Sequence, residues 1–163
     1  MSGLGARAGD ELEIRQVLGR YARGCDRLDM DLVRSCYWDD ATEDRGRYVG
    51  DVDGFVDWLR GQLEGFIGTW HQVAPPYLEF DGDTAWSESY SLAMHRYRDD
   101  DGKEASRLIP SRYCDRFEKR DGEWRIARRI GVYETVLMVG TAPSLDAEPR
   151  SRRDRDDPSY QRP

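Results

Sequence analysis

The carboxyl-terminal half of the sequence is dominated by long segments of alternating polar and apolar residues, separated by Asp-Gly turns. The segments cover residues 84–98, 105–120 and 124–138. Asp and Gly tolerate the left-handed backbone that tight hairpin turns require. Period-two segments joined by such turns predict antiparallel strands that pair in sequence order. This half of the chain is therefore expected to form a sheet meander.

The amino-terminal half shows helical spacing of apolar residues instead. Three helices are predicted, over 10–28, 30–37 and 51–68. Asp10 is a candidate cap for the first of them, with acidic residues in its first turn. Between the second and third helices, residues 38–50 predict a short strand, a turn at Arg45-Gly46 and a return strand. Another strand region is expected over 71–81. Helices followed by a meander predict an α+β fold, with helices closing a strongly curved, mostly antiparallel sheet.

The length of 163 residues predicts one domain, over 1–140. Residues 141–163 contain Pro, Arg, Asp and Ser without an apolar period, which predicts an extended tail. The tail also contains Tyr160 within the segment DPSYQRP. We therefore expect it to be partly ordered, crossing the mouth of a pocket or a neighbouring subunit. The alternative is a solvated tether.

Charge and cysteine content exclude several classes of function. The net charge is −7, and the basic residues of the tail alternate with aspartates, which argues against a nucleic-acid surface. The three cysteines have no metal-ligand spacing, so no zinc site is predicted, and reduced thiols favour a cytoplasmic location. The first residues lack the apolar core of a secretory signal, so none is expected, and no apolar run is long enough to predict a membrane span.

Candidate catalytic chemistry centres on His71, one of only two histidines. An imidazole oriented by a carboxylate is a general base that works near neutral pH, and Asp26 is the candidate carboxylate. Tyr21 lies five residues before Asp26, and its phenol could stabilise an enolate oxygen or assist a leaving hydroxyl. Each residue also has a structural interpretation. Asp26 would be a solvated helix-end carboxylate, His71 a core histidine bonded to a backbone carbonyl, and Tyr21 a core residue.

Alternation along residues 84–98 divides the strand into two faces. One face carries small or mildly polar residues, namely Ser87, Ser89, Ser91, Ala93 and His95. The other carries Trp86, Glu88, Tyr90, Leu92 and Met94. Small side chains leave room on a concave face, so we assign the first set to a pocket, opposite Ile109, Ser111 and Tyr113 of the next strand. The alternative is that the first set is exposed and the aromatic face forms the core.

Several segments resemble the SnoaL-like branch of the NTF2-like superfamily. They are YARGCDRLDMDLVRSCYWDDA, TWH, LEFDGDTAWSES, SRYCDRFEKRDGEWRIARR and DPSYQRP. The resemblance covers residues 8–140 and is closest to the group containing scytalone dehydratase, bile acid 7α-dehydratase and hexachlorocyclohexane dehydrochlorinase. It implies a cone-shaped α+β domain and cofactor-free lyase chemistry without a metal.

On that resemblance, Asp26 and His71 take the positions of an Asp–His dyad. Tyr21 matches a tyrosine of the bile acid dehydratase, where the dehydrochlorinase has lysine, which favours loss of water. Arg129 matches a pocket arginine, and His95 is close to a second catalytic histidine. For Arg129 the alternative is a surface ion pair, and for His95 a surface position.

The expected function is a dehydratase acting on a small, largely apolar or polycyclic hydroxy-carbonyl substrate. Two alternatives stay open: an isomerase or polyketide cyclase that uses the same base, and a non-catalytic small subunit of a ring-hydroxylating dioxygenase. No nucleic-acid or membrane partner is expected. The apolar outer sheet face predicts a homo-oligomer, with the trimer implied by the resemblance as first choice and a dimer as second.

Overall fold

A computed structural model describes residues 3–141 and 151–160. The helices are α1 (Gly3–Arg27), α2 (Met30–Arg34) and α3 (Val52–Glu64). The strands are β1 (Tyr37–Asp44), β2 (Val49–Asp51), β3 (Gly68–Val73), β4 (Tyr77–Asp81), β5 (Thr84–Arg98), β6 (Glu104–Arg120), β7 (Glu123–Tyr133) and β8 (Leu137–Thr141). A short 3-10 helix covers Pro158–Tyr160. The described elements form the expected α+β fold.

The strands form one curved, mixed sheet in the order β2-β1-β7-β6-β5-β3. The predicted meander is present, because β5 pairs antiparallel with β6 along its whole length and β6 pairs antiparallel with β7. Its turns contain glycines with positive φ, including Gly82 at 58° and Gly122 at 83°, a backbone region that glycine adopts without a Cβ clash. Among the described strands, the one parallel pair joins β1 to β7.

The same edge of β5 is shared by β3 and β4. β3 pairs with residues 91–96 of β5, and β4 pairs with residues 84–88. The chain leaves the edge at Pro75 and Pro76, which have no N–H to donate to a ladder. β8 pairs with residues 105–108 of β6, beyond the end of β7.

The core lies between the helices and the inner face of the sheet. α1 packs against β3 and β7, and α3 packs against β1. The largest fully buried apolar side chains come from both layers, namely Ile14, Val17, Tyr37, Phe55, Phe117, Trp124 and Ile126. This packing carries the end of α1 to the edge strand β3, which positions the site described below.

Several predicted boundaries were wrong. α1 begins at Gly3, so Asp10 lies inside the helix and accepts hydrogen bonds from Lys119 Nζ (2.7 Å) and Trp124 Nε1 (2.8 Å). α3 ends at Glu64 and not at residue 68. The last predicted strand is broken into β7 and β8 by residues 134–136.

The described part of the tail, residues 151–160, packs against the ends of two helices. Arg153 Nη1 donates to the carbonyl oxygens of Leu63 (2.9 Å) and Phe66 (2.8 Å). Asp157 is buried and pairs with Arg27 at 3.2 Å, and Arg23 lies over the ring of Tyr160. Residues 142–150 and 161–163 of the predicted tail lie outside the described residues. In the described chain, no helix is long and apolar enough to span a membrane.

Candidate active site

Strand alternation places the two faces of β5 as expected. Ser87, Ser89, Ser91, Ala93 and His95 are all buried, whereas Trp86 and Tyr90 on the opposite face are 49% and 65% exposed. The neighbouring strands continue the inner face, because His71 of β3 is paired with Ala93 and Thr69 with His95. The side chains of these two strands therefore share one concave surface.

Asp26 and His71 are in direct contact on this surface. His71 Nδ1 lies 2.7 Å from Asp26 Oδ1. The same carboxylate accepts from Thr69 Oγ1 at 3.0 Å, and its Oδ2 accepts from the backbone N–H of His71 at 3.0 Å. Asp26 lies in the last turn of α1 and His71 in β3, so the dyad joins the helix layer to the edge of the sheet.

The hydrogen bonds to Asp26 define the role of each imidazole nitrogen. An ionised carboxylate only accepts hydrogen bonds, so Nδ1 of His71 carries the proton and donates it. In the neutral imidazole, Nε2 then carries the lone pair and is the basic atom. The His71 side chain is only 9% exposed, so water has little access to the imidazole. This arrangement is chemically suited to removing a proton from a bound molecule.

His71 lies in the wall of a cavity of about 390 Å³, within the range common for small-molecule sites. Most of the lining is apolar or aromatic: Tyr21, Trp58, Leu59, Leu63, Phe66, Ala93, Ile109, Tyr113, Tyr133 and Val136. The polar side chains are Arg45, Arg47, Gln62, His71, His95, Arg107 and Ser111. Gly46 and Arg47 are exposed, so the turn that contains them borders the mouth. The cavity wall is therefore mainly apolar and carries several cationic side chains.

Tyr21 is buried at the inner wall, where its phenol oxygen accepts a 2.8 Å hydrogen bond from Arg45 Nη2. Arg45 is fixed from the other side by Glu43 Oε1 at 2.5 Å. Burial raises the pKa of Tyr21 well above its usual range, so the phenol keeps its proton and can donate it to a ligand. Gly131 allows Arg45 to lie this close, because a Cβ there would be 2.7 Å from Nη1.

His95 lies beside His71, with 5.7 Å between ring centroids, and stacks at 4.5 Å on Phe66. Burial, together with the charges of His71, Arg107 and Arg153, lowers the pKa of His95 to about 3, so it is neutral near pH 7. Arg107 donates to Nδ1 at 3.3–3.4 Å, which places the ring proton on Nε2. Nε2 is buried and has no partner within the described residues.

Arg129 is fully buried but does not line the cavity, which differs from the expectation for it. Its guanidinium makes a two-pronged ion pair with Asp115, at 2.7 and 2.8 Å, and lies over the rings of Tyr21 and Tyr113. Asp115 occupies the donors that a ligand would need. Arg129 therefore packs behind the rings of Tyr21 and Tyr113, which line the cavity.

The other predicted site residues divide into two groups. Tyr21, His71, Ala93, His95, Ile109, Ser111 and Tyr113 line the cavity. Ser87, Ser89 and Ser91 do not, which corrects their placement at the pocket surface. Ser91 Oγ is 2.5 Å from Ser111 Oγ, and Ser89 is fully buried with its hydroxyl unpartnered in the described chain. These serines are buried on the inner face of the sheet, but they do not reach the surface of the cavity.

Sequence reasoning missed Arg45, Arg47, Arg107, Trp58 and Phe66. A signal existed for Arg107, which has the same parity as Ile109 and Ser111 on β6 and pairs in register with His95. Arg45 was predicted to lie in a turn, but the sequence does not indicate that its side chain points into the cavity. In residues 3–141 and 151–160, no cluster of three His, Cys, Asp or Glu side chains could hold a metal ion.

Comparison with known proteins supports the fold and the domain type. Residues 6–130 match the model of the SnoaL-like domain. Similar solved structures include a hexachlorocyclohexane dehydrochlorinase, with 23% identity and a TM-score of 0.76 over 91% of this chain and 99% of that one. No curated protein matches this sequence.

Two structures from Novosphingobium aromaticivorans are also similar. A candidate scytalone dehydratase has 20% identity and a TM-score of 0.74, covering 89% of this chain and 99% of that one. The β subunit of a candidate aromatic-ring-hydroxylating dioxygenase has 17% identity and a TM-score of 0.66, covering 81% and 94%. At these identities the likeness concerns the fold.

Proposed function

This chain belongs to the SnoaL-like domain family, and from that premise we propose that it is a cofactor-independent lyase. The proposed reaction is removal of water from a small, largely apolar or polycyclic hydroxy-carbonyl compound. The observation that carries the proposal is the 2.7 Å contact between His71 and Asp26 at the wall of a mainly apolar cavity. The similarity to a candidate scytalone dehydratase and a dehydrochlorinase supports elimination chemistry.

In the proposed mechanism, His71 Nε2 removes a proton from the carbon next to the substrate carbonyl. Asp26 stabilises the resulting imidazolium, because it already accepts the hydrogen bond from Nδ1. The electron pair of the broken C–H bond forms the new double bond as the hydroxyl group departs. The imidazolium returns its proton to the hydroxyl, so that water leaves and His71 is again neutral.

Two further donors would stabilise the negative charge that develops on the carbonyl oxygen. The Tyr21 phenol is protonated and is polarised by the hydrogen bond from Arg45. The Nε2–H of His95 is the second candidate, since it is unpartnered in the described chain and His95 lines the cavity. Both donors are fixed by protein contacts before a substrate binds, which reduces the reorganisation needed in the transition state.

The test is turnover of a panel of cyclic β-hydroxy ketones by wild type and variants, with product mass as the readout. A product lighter by one water molecule supports a dehydratase. His71→Ala should lower turnover by at least ~10²-fold, the usual scale for losing a general base. Asp26→Asn should also be severe because it removes the charge that stabilises the imidazolium. Gln72→Ala is the matched control, since Gln72 follows His71 but is exposed.

An isomerase or cyclase is the second candidate within the same site. The same Nε2 base would act, and the product would have the mass of the substrate. The similarity to a dioxygenase β subunit favours a third, non-catalytic candidate. A large partner subunit that co-purifies with this chain, together with full activity of a complex carrying His71→Ala, would support that candidate over the dehydratase.

A further inference from the structure

The charged residues that line the cavity are all arginines. Arg45, Arg47 and Arg107 contribute to the lining, and no aspartate or glutamate among the described residues does so. An apolar cavity whose only charged lining side chains are cationic is an unusual place to bind a neutral hydrocarbon. The three arginines differ in whether a carboxylate of the protein neutralises the charge.

Buried ion pairs account for the arginines at the inner wall. Arg45 pairs with Glu43, and Arg129, behind the wall, pairs with Asp115. Arg107 and Arg47 differ, because no carboxylate of residues 3–141 or 151–160 lies within ion-pair distance of either. Arg47 is exposed at the mouth, where water screens its charge. Arg107 is half-buried, so its charge is less screened.

Arg107 is also held in place before any ligand binds. Its guanidinium lies over the ring of Phe66, 4.8 Å from the centroid. Two of its nitrogens, Nε and Nη2, donate to Nδ1 of His95 at 3.3–3.4 Å. His95 is neutral, so this contact orients the guanidinium without cancelling its charge. The remaining N–H groups make no hydrogen bond within the described chain.

From this arrangement we infer that the substrate carries a carboxylate that binds Arg107 inside the cavity. A planar guanidinium matches a carboxylate, with two parallel N–H···O bonds, better than it matches any neutral group. Since Arg107 pairs with His95 and His71 with Ala93, the Cα atoms of Arg107 and His71 are about 12 Å apart in a flat sheet. Both side chains lie in the lining of the same cavity. The substrate is then a ring compound with the acid at one end and the reacting C–H at the other.

The inference rests on the proposed function for the reaction but not for binding, so the test measures binding. Benzoate, 2-naphthoate and 9-anthroate are each titrated against the matching neutral carboxamide by calorimetry. We expect wild type to prefer at least one carboxylate by about tenfold or more, the scale of one charge-assisted hydrogen bond. Added salt should weaken carboxylate binding and leave carboxamide binding unchanged.

Variants assign the preference to Arg107. Arg107→Met should reduce the preference to about threefold or less, Arg107→Lys should retain part of it, and Arg107→Gln replaces the Met variant if that fails to fold. Arg116→Gln is the matched control, because Arg116 is on the same strand with its side chain 44% exposed and does not line the cavity. His71→Ala should keep the preference even though it would abolish catalysis.

Three results would overturn the inference: equal affinity of wild type for the carboxylate and the carboxamide, an unchanged preference in Arg107→Met, or no binding of any of the three carboxylates at millimolar concentration. Each of these leaves the proposed dehydratase standing, with a neutral substrate. Conversely, the wild-type protein could prefer carboxylates through Arg107 and yet show no turnover that depends on His71 and Asp26. That result would support the carboxylate site and contradict the proposed reaction.

Discussion

At the scale of single residues, the hydrogen bonds around the Asp26 carboxylate give the strongest indication of function. A carboxylate in the last turn of a helix faces the negative end of the helix dipole, which is electrostatically unfavourable. Here the fold compensates with three donors, from Thr69, the backbone of His71 and the His71 ring. A carboxylate needed only for solubility would not require them. The donors fix the imidazole in one orientation with Nε2 available, which is why we regard the pair as functional.

The neutral state of His95 leads to a prediction about stability and pH. The pKa of His95 is about 3 in the folded protein, because of burial first and then the neighbouring charges of His71, Arg107 and Arg153, against about 6.5 when unfolded. As the pH falls below about 6.5, the unfolded chain takes up a proton that the folded chain does not. The contribution to stability is therefore complete above that pH and is lost as the pH falls.

Between pH 7 and pH 5, this difference should lower the free energy of unfolding by about 2 kcal/mol. Urea unfolding at the two pH values measures it in wild type and in His95→Gln, which has no ionisable group at this position. The variant should lose less stability than wild type over this interval. Equal losses would show that His95 titrates alike in both states.

At the scale of secondary-structure elements, the sequence predicted most of what builds the site. Asp-Gly turns and alternation placed β5, β6 and β7, and parity correctly put Ala93 and His95 on the inner face. Boundaries were less predictable where long-range contacts decide. Asp10 resembled a helix cap in sequence, but its partners Lys119 and Trp124 are more than a hundred residues away. His71 was expected at the start of a strand region and lies inside β3, because pairing with β5 extends the strand back to Gly68.

The candidate site shows the same division. The contact between Asp26 and His71 was expected, and the structure has it. Arg129 was expected at the pocket, and nothing in the sequence indicated that this was wrong. Only the fold shows that Asp115 pairs with its guanidinium. Arg45 and Arg107 were missed because this sequence contains many arginines and local pattern does not distinguish a cavity residue from a surface one. Side-chain direction in turns depends on tertiary packing, as for Arg45 beside Gly131.

The tail contributes a prediction at this scale. Arg153 donates to the carbonyls of Leu63 and Phe66 at the carboxyl end of α3, where a cation is favoured. Arg153→Gln should lower the free energy of unfolding by about 1–2 kcal/mol, as expected for lost hydrogen bonds from a charged donor. Ser151→Ala, at an exposed site in the same segment, should change it by less than ~0.5 kcal/mol. Equal effects in a thermal or urea melt would mean that the tail is a tether.

At the scale of the whole molecule, the fold separates two faces of one sheet. The inner face carries the cavity and the dyad, and the outer face exposes large aromatic side chains, with Tyr77 at 68%, Trp86 at 49% and Tyr90 at 65%. Aromatic groups exposed together on one face favour a protein–protein contact over solvent. We propose that this face joins copies of the chain, with a trimer first and a dimer second.

Light scattering coupled to size-exclusion chromatography tests the assembly at micromolar concentration. Wild type should elute as an oligomer, and a Trp86→Glu, Tyr90→Glu double variant should shift toward the monomer because it places charge in the contact. Leu12→Glu, which places a charge on an exposed apolar residue of α1 away from the sheet, provides the control. A monomeric wild type would contradict the proposed contact.

The central claim is that His71, oriented by Asp26, is a general base in the wall of a mainly apolar cavity. It is tested most directly by deuterium exchange of the acidic C–H protons of 2-tetralone in D2O, followed by NMR, since this needs no knowledge of the natural substrate. Wild type should accelerate exchange above the buffer rate, and His71→Ala should reduce that acceleration by at least ~10²-fold. Exchange that proceeds equally fast with wild type and His71→Ala would contradict the claim.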